Sequence, residues 1–276
     1  MAAADAEADV AAVPEKIPDS HFIENDEFDK LEALFDVDPR QRGWTKFSST
    51  SVIGKCDIYR RAQKRNTSLY EYYTRGEWHN LSVERLLLAA CDNEYRLTWD
   101  ENTTEISTLE EVVRQSTKGT CERTELYHWG IKLPWPLTNR DYVFARRMVR
   151  RGDLYMVISR SVLHSKAPEQ PSKYIRVKDY STRVALRTKT TDKGIECTEF
   201  ATIYGDDIGG SIPSSVINFV AQQVVPKTLQ QQHEKALQYP QAQLEQMQLQ
   251  WFPDDFEEAD DEDEEEEDDD EEDDDD

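Results

Sequence analysis

Apolar residues recur with a helical period near the start of the chain. Four of them lie three or four positions apart, which places them on one face of a helix: Phe28, Leu31, Leu34 and Phe35. Ser20 precedes this run and is a residue type that caps helices, whereas Asp38-Pro39 follows it and stops a helix. The pattern predicts a helix from about Ser20 to Phe35, preceded by a disordered N-terminus at residues 1–19.

After Gly43 the period changes to two, in short segments rich in aromatic and β-branched residues and separated by polar turns. Such alternation is typical of strands with one buried face. The predicted strands span residues 44–50, 55–63, 69–78, 123–133, 141–150, 154–163, 173–189 and 194–204. Residues 150–153 and 192–194 have the composition of hairpin turns, so the strands are expected to pair antiparallel.

Two further helices interrupt or follow the strands. Residues 82–91 begin with a possible cap at Ser82 and continue with helix-forming residues. A long final helix is predicted from Pro213 to about Leu237, with a bend or break at Pro226, which lacks an N–H group. The predicted fold class is α+β: a curved antiparallel sheet with a long C-terminal helix. A helix over the concave face of such a sheet leaves room for a cavity.

Charge is distributed unevenly along the 276 residues. The net charge is −24, but residues 254–276 contain 21 Asp and Glu in 23 positions. Residues 41–253 contain 24 acidic and 30 basic residues, so the part predicted to fold is mildly basic. The acidic run has too little apolar surface to fold and repels itself. Residues 241–276 are therefore expected to be a Gln-rich linker followed by a disordered acidic tail.

Targeting signals and cysteine usage indicate the compartment. No segment approaches the roughly 18–20 apolar residues of a membrane span. The N-terminus has no basic residue before Lys16, unlike a signal peptide or a mitochondrial presequence. The four cysteines are far apart and form no CxxC pair, as is typical of free thiols in a reducing compartment: Cys56, Cys91, Cys121 and Cys197. We expect a cytoplasmic protein that is peripheral at membranes.

Signatures of common catalytic and cofactor sites are absent from the sequence. The chain has no GxSxG, HExxH, GxxxxGK[ST] or GxGxxG motif, and its five histidines have no metal-ligand spacing. Asp206-Asp207 is a carboxylate pair, but the Gly-flanked run GDDIGGS is typical of a loop with solvated acids. No enzymatic activity, cofactor, metal site or nucleic-acid partner is therefore predicted.

Four segments stand out together: EYRLTWD (94–100), YHWGIKLPWPLTNRDYVFARR (127–147), YIRVKDY (174–180) and GDDIGGSIPSSVINFVAQQVVPKTL (205–229). In order, spacing and residue types they resemble the START (StAR-related lipid transfer) family, and within it most closely the phosphatidylcholine transfer proteins. The resemblance covers about residues 41–239. It implies a helix-grip fold at residues 20–240, in which the sheet and the C-terminal helix enclose one lipid in a tunnel.

The resemblance also implies which residues bind the headgroup. An Arg and an Asp lie at the headgroup end of the family's phosphatidylcholine carriers, and the matching residues here are Arg96 and Asp100. Three aromatic residues surround the choline there, and their counterparts are Trp129, Tyr142 and Tyr180. The implied function is that of a non-enzymatic intracellular carrier of one phospholipid, phosphatidylcholine, that makes transient contact with membrane surfaces.

Physical chemistry agrees with these roles. A quaternary ammonium has no N–H group, so aromatic faces bind it, at about 0.5–2 kcal/mol per desolvated contact. A guanidinium binds a phosphodiester bidentately, and Asp100, four residues after Arg96, can pair with it on one helical face. Alternation along residues 127–133 places Trp129 on the apolar side of its strand, whereas Tyr180 requires a bulge near Asp179.

The C-terminal helix is expected to act as a lid, because it is terminal, amphipathic and preceded by glycines. The residues assigned to this gate are Gly209, Gly210, Val216, Phe219, Val220 and Pro226.

Three alternatives stay open at this point. The same fold could carry or sense another lipid, such as phosphatidylethanolamine, ceramide or a sterol. A START-type acyl-CoA thioesterase would need a second catalytic domain, for which the chain has no room. An adaptor built around the acidic tail would instead bind a basic protein partner.

Overall fold

The described part of the chain forms ten strands and five α-helices. The computed structural model describes residues 23–51, 54–64, 66–67, 69–115, 121–190, 194, 196–209 and 225–252. The strands are β1 (Thr45–Thr50), β2 (Cys56–Ala62), β3 (Tyr70–His79), β4 (Thr103–Gln115), β5 (Cys121–Ile131), β6 (Asn139–Arg151), β7 (Leu154–Ser161), β8 (Tyr174–Val177), β9 (Tyr180–Thr190) and β10 (Glu196–Asp206). The helices are α1 (Asn25–Glu32), α2 (Val83–Cys91), α3 (Asn93–Trp99), α4 (Val225–Leu237) and α5 (Gln241–Trp251).

The strands form one curved sheet in the order β1-β2-β3-β10-β9-β7-β6-β5-β4. Each neighbouring pair along this path is antiparallel, and β8 lies off the path, parallel to β6. The α+β class predicted from the sequence is therefore confirmed. None of the described helices is long and apolar enough to cross a membrane.

Both faces of the sheet are covered. On β7, Met156 and Ile158 belong to one apolar cluster, whereas Tyr155 and Val157 belong to another, as the period of two in a strand requires. The first cluster contains the buried residues of α1, and we call this face convex. The second contains buried residues of α2, α4 and α5, and lies on the concave face.

Helix α1 is fixed to the convex face by arginines of β6 and β7. The buried Arg147 donates to the carbonyl oxygen of Ile23 at 2.6 Å, and Arg160 Nη1 lies 3.0 Å from Glu27 Oε1. The helix spans Asn25–Glu32 and is thus shorter than predicted; positions 20–22 lie outside the described residues.

Strand β4 was not predicted from the sequence. It lies at one edge of the sheet, and its pairing with β5 shifts register twice. Its sequence, TTEISTLEEVVRQ, has charged and polar residues at both odd and even positions. An edge strand with an interrupted register shows no continuous period of two, so the usual signal is missing.

Residues 173–189, predicted as one strand, form two. β8 ends at Val177 and pairs with β6, whereas β9 begins at Tyr180 and pairs with β7 and β10. The bulge expected near Asp179 is thus a complete break, and the break lets β8 run parallel to β6.

The C-terminal region also differs from expectation. The Gln-rich segment expected to be a linker forms helix α5, with Leu244 and Trp251 buried against the concave-face cluster. These two residues lie seven positions apart and share one helix face. Among so many glutamines, two apolar positions are too few to predict a buried helix. The long helix predicted from Pro213 is described from Val225 onward as α4, and residues 210–224 lie outside the described residues.

Candidate binding cavity

A cavity of about 320 Å³ lies between the concave face of the sheet and helices α2, α3 and α4. Ligand sites of proteins commonly begin at about this volume. Most of its lining is apolar: Ile58, Trp78, Leu86, Leu87, Ala90, Val157, Val184, Leu186, Phe200 and Leu229. Two arginines, Arg96 and Arg146, add positive charge to the wall. The cavity is therefore suited to an apolar ligand with an anionic group.

Arg96 is held by a buried carboxylate. It lies on α3, and its Nε donates to Asp100 Oδ2 at 3.0 Å, the i,i+4 pairing expected from the sequence. The Asp100 side chain is only 5% exposed and also accepts a hydrogen bond from Thr103 Oγ1 at 2.8 Å. Arg96 Nη1 donates to the Ala90 carbonyl oxygen. Within the described residues, no group accepts a hydrogen bond from Arg96 Nη2, so this N–H group can bind a ligand oxygen.

Trp129, Tyr142 and Tyr180 lie together at one end of the cavity, which we call the aromatic end. Trp129 and Tyr142 are directly paired on β5 and β6, with ring centroids 5.3 Å apart, and Tyr180 lies 5.2 Å from Tyr142. The guanidinium of Arg96 lies over the Trp129 ring, with Cζ 4.5 Å from its centroid. The structure therefore brings together all five residues named for the headgroup.

These five residues do not all reach the cavity surface. Arg96, Trp129 and Tyr180 line the wall, whereas Asp100 and Tyr142 lie behind them. Burial raises the pKa of Tyr142 and of Tyr180, so both phenols stay neutral at neutral pH. Neutral rings present their π faces without adding charge.

Arg146 was missed in the sequence. It faces the cavity from β6, and its Nη2 donates to the Cys91 carbonyl oxygen at 2.9 Å and to the Tyr127 hydroxyl at 2.6 Å. Glu125 accepts from Arg146 Nη2 at 3.3 Å, so the buried charge is paired. The signal was available: Arg146 lies two residues after Phe144 on the same strand and therefore on the same face.

Residues 206–209 lie beside the aromatic end. Asp206, expected in a solvated loop, is the last residue of β10 and accepts hydrogen bonds from the hydroxyls of Tyr142 and Tyr204 at 3.2 and 2.6 Å. Burial, together with the carboxylates of Asp207 and Asp179, raises the pKa of Asp206. The expectation of a simple solvated pair was therefore wrong for Asp206.

A buried arginine fixes the backbone that follows Asp206. Arg140 donates to the carbonyl oxygens of Thr138 and Ile208, and to that of Gly209 at 3.0 Å. Gly209 has φ +61°, a conformation that disfavours any side chain, and a Cβ there would lie 3.3 Å from Ile175 Cγ2.

Most residues assigned to the gate cannot be placed. Gly210, Val216, Phe219 and Val220 lie outside the described residues, and Pro226 is the second residue of α4. Among the residues that the structure describes, no group of three His, Cys, Asp or Glu side chains could hold a metal ion.

Comparison with known proteins identifies a family match and several relatives. The family model described as START domain matches residues 31–243. Human phosphatidylcholine transfer protein is 30% identical over 190 residues, which cover 67% of this chain and 80% of that protein. Human START domain-containing protein 10 is 26% identical over 204 residues, covering 72% and 63% respectively. The crystal structure of human STARD10 superposes with a TM-score of 0.62 at 22% identity, over 84% of this chain and 85% of that one.

Proposed function

Since this chain belongs to the START domain family, we propose that it is a non-enzymatic carrier that encloses one phospholipid, phosphatidylcholine, and transfers it between membranes. The observation that carries the proposal is the combination at the aromatic end of the cavity. There the guanidinium of Arg96, paired with Asp100, lies over the Trp129 ring. Trp129 in turn packs against Tyr142, and Tyr142 packs against Tyr180.

The arginine supplies the phosphate-binding group. The guanidinium of Arg96 lies at the cavity wall, and its pairing with Asp100 offsets the cost of burying the positive charge there. Its Nη2, which has no acceptor among the described residues, can donate to an anionic oxygen, and a charge-assisted hydrogen bond of this kind is about twice as strong as a neutral one. A sterol or ceramide carries no phosphate, so it would leave this donor without an ionic partner.

The aromatic rings supply selectivity for choline. A trimethylammonium group cannot donate hydrogen bonds, and it gains its binding energy from ring faces instead. The Trp129 and Tyr180 rings border the cavity next to Arg96, as a phosphocholine group requires. The apolar side chains along the rest of the wall then surround the acyl chains.

Exchange of a lipid requires contact with a bilayer, and an exposed aromatic loop supports that contact. Residues 132–138 connect β5 to β6 beside the aromatic end, and Trp135 at their centre is 92% exposed. The turn is held by hydrogen bonds from Leu137 N to the Pro134 carbonyl oxygen and from Leu133 N to Asn139 Oδ1. Tryptophan favours the interface between water and lipid, so this loop is suited to touch the membrane surface.

The decisive experiment is mass spectrometry of lipid that co-purifies with the full-length protein. We expect one phospholipid per chain, with a choline headgroup. Arg96→Ala should purify with little phospholipid, whereas the control Arg40→Ala, at an exposed arginine paired with Asp38, should retain it. Recovery of sterol or ceramide instead of phospholipid would contradict the proposal.

A further inference from the structure

The concave face of the sheet continues beyond the cavity. Along β7 the side chains of Ser159 and Val157 line the cavity, and the next residue on the same face is Tyr155. Along β6 the corresponding series is Phe144, Arg146 and then Met148. The groove thus extends past Val157 and Arg146, away from the aromatic end. We call this the inner end.

Two aromatic residues at the C-terminus of α5 occupy the groove at this point. The Phe252 ring packs edge-on against Tyr155, with centroids 5.4 Å apart. The Trp251 ring lies 5.7 Å from Arg146 Cζ. Trp251 is 7% and Phe252 is 8% exposed, although the acidic run begins at residue 254. Two large apolar side chains are therefore buried just before the acidic run of the sequence.

The rest of α5 is positioned by α2. Arg85 donates from Nη1 to the Tyr239 carbonyl oxygen at 2.6 Å and from Nη2 to Gln241 Oε1 at 2.7 Å. Leu244, on the same face of α5 as Trp251, is buried in the cluster that α2 also supplies. These contacts fix where the helix starts and so direct its end toward Tyr155 and Arg146.

Most of this element lies beyond the family match. The START match ends at residue 243, in the first turn of α5, so Trp251 and Phe252 lie beyond it. The two rings at the inner end thus lie outside the matched residues 31–243.

We propose that Trp251 and Phe252 form a plug that closes the inner end of the cavity and limits the length of acyl chain that the protein accepts. The proposal rests on the proposed function for its ligand, but the plug itself is a property of the fold. Bulky rings at the end of an apolar groove exclude any methyl terminus that would extend past Val157. Replacing the rings with small side chains lengthens the groove along Tyr155 and Met148.

The first test is chain-length selectivity. Full-length protein and the variant W251A/F252A are loaded from vesicles that contain phosphatidylcholines differing only in chain length, from myristoyl to arachidoyl. In the variant the preference should move to longer chains, by roughly fourfold for each additional CH2 that the groove buries. L237A, at an exposed apolar residue of α4, is the matched control and should keep the original preference.

The second test does not depend on lipid binding. Cys91 lines the cavity, and its carbonyl oxygen accepts a hydrogen bond from Arg146, which Trp251 covers. Opening the inner end should raise the rate at which N-ethylmaleimide modifies Cys91 by tenfold or more, as measured by peptide mass spectrometry. If the wild-type protein binds no phosphatidylcholine, the proposed function fails. The modification rates of Cys91 in wild type and variant then still test whether Trp251 and Phe252 close the inner end.

Loss of two buried rings can unfold a protein, so W251L/F252L serves as a second variant that keeps apolar contacts but removes volume. This variant should show the same shift in chain-length preference and the same increase in Cys91 modification, both of smaller magnitude. Unchanged chain-length preference together with unchanged Cys91 protection, in a folded variant, would overturn the proposal.

Discussion

At the scale of single residues, Arg96 has two partners at once. Its Nε is bonded to Asp100, and its guanidinium plane contacts the face of Trp129. The positive charge and the aromatic ring that would bind phosphate and choline are thus in direct contact. Substitutions at these two positions should have effects of different kinds, because one removes a charge and the other removes a π face.

Trp129→Ala should relax selectivity between headgroups. Phosphatidylcholine should lose about 1–2 kcal/mol of binding free energy, and phosphatidylethanolamine less, because its ammonium can still donate hydrogen bonds. Selectivity should fall by roughly tenfold. Equilibrium competition between the two lipids measures it. Trp129→Phe is the control, since it keeps one aromatic face but removes the five-membered ring and the indole N–H that donates to Thr103 Oγ1. Equal weakening of both lipids would show that Trp129 is only a packing residue.

Arg96→Ala should weaken every phospholipid alike. The variant leaves a phosphate and the buried Asp100 carboxylate without their cation, at a cost of about 3–5 kcal/mol. The affinity of Arg96→Lys for phospholipids should lie between those of the wild type and Arg96→Ala, because lysine restores the positive charge without the planar guanidinium fork. Binding of several phospholipid classes to the same purified variants is the measurement. A loss confined to choline lipids would contradict the phosphate role.

At the scale of elements, the sequence predicts structure where local periodicity is strong. The helix Val83–Cys91 and the hairpin of β6 and β7 follow directly from capping and alternation. β4 was missed because an edge strand needs little apolar surface, and α5 because its buried positions are sparse. The pairing of β8 with β6 joins residues about 35 positions apart, and no local sequence pattern predicts it.

The candidate site divides in the same way. Arg96 and Asp100 could be paired by i,i+4 spacing, and Trp129 could be placed by alternation with its neighbours. Tyr180 could not be placed in this way, because the break after Val177 resets the phase of the strand. The contact of Trp251 with Arg146 joins residues more than a hundred positions apart, and only the folded chain brings them together.

Three elements meet at one buried carboxylate. Asp141 on β6 lies 2.7 Å from Arg176 Nη2 on β8 and 3.1 Å from His128 Nε2 on β5. Its side chain is 1% exposed. Burial acts to raise the pKa of Asp141, but hydrogen bonds from His128 and Arg176 outweigh it, so the pKa lies below its ordinary value. The cluster fastens β8 in its parallel position.

Asp141→Asn should therefore destabilise the fold by about 3–5 kcal/mol at neutral pH, because it leaves the Arg176 charge buried without an anion. A depressed carboxyl pKa contributes stability above the unfolded value of about 4, and this contribution is lost as pH falls through the folded value. The difference between wild type and variant should thus be largest at neutral pH and shrink in acid. Urea unfolding across pH measures it, with the exposed Asp26→Asn as control. A difference independent of pH would assign the effect to packing.

At the scale of the whole molecule, charge and fold are separated. Residues 41–253 carry a small positive excess, and residues 254–276 carry 21 carboxylates. Carboxylates enter an apolar cavity only at a large desolvation cost, so we expect the tail to be dispensable for lipid binding. We expect the tail to act instead on surfaces that approach the protein, by repelling anionic membranes or by attracting basic proteins.

Truncation from Pro253 onward, which keeps Trp251 and Phe252, should leave the bound lipid in place. It should also raise the rate of transfer from anionic vesicles at low salt, with the gain fading as the Debye length shrinks toward roughly 8 Å at physiological ionic strength. Vesicle transfer assays at several salt concentrations measure this. A full-length variant with Asn and Gln in place of the tail acids is the control and should behave like the truncation. Loss of bound lipid from either protein would contradict this separation, and a basic protein captured only by the intact tail would assign the tail to partner binding.

The hydrogen bonds of Arg140 connect two segments that lie far apart in the sequence. One guanidinium bonds to Thr138, at the end of the loop that carries Trp135, and to Ile208 and Gly209, where the chain leaves β10 toward the C-terminal helix. The two segments are therefore joined through separate nitrogens of one guanidinium, so we expect their conformational free energies to be linked. Such linkage is reciprocal. Under the proposed function, binding of the Trp135 loop to a bilayer would therefore shift the conformational equilibrium at Gly209, and a change at Gly209 would alter the affinity of the loop for the bilayer by the same factor.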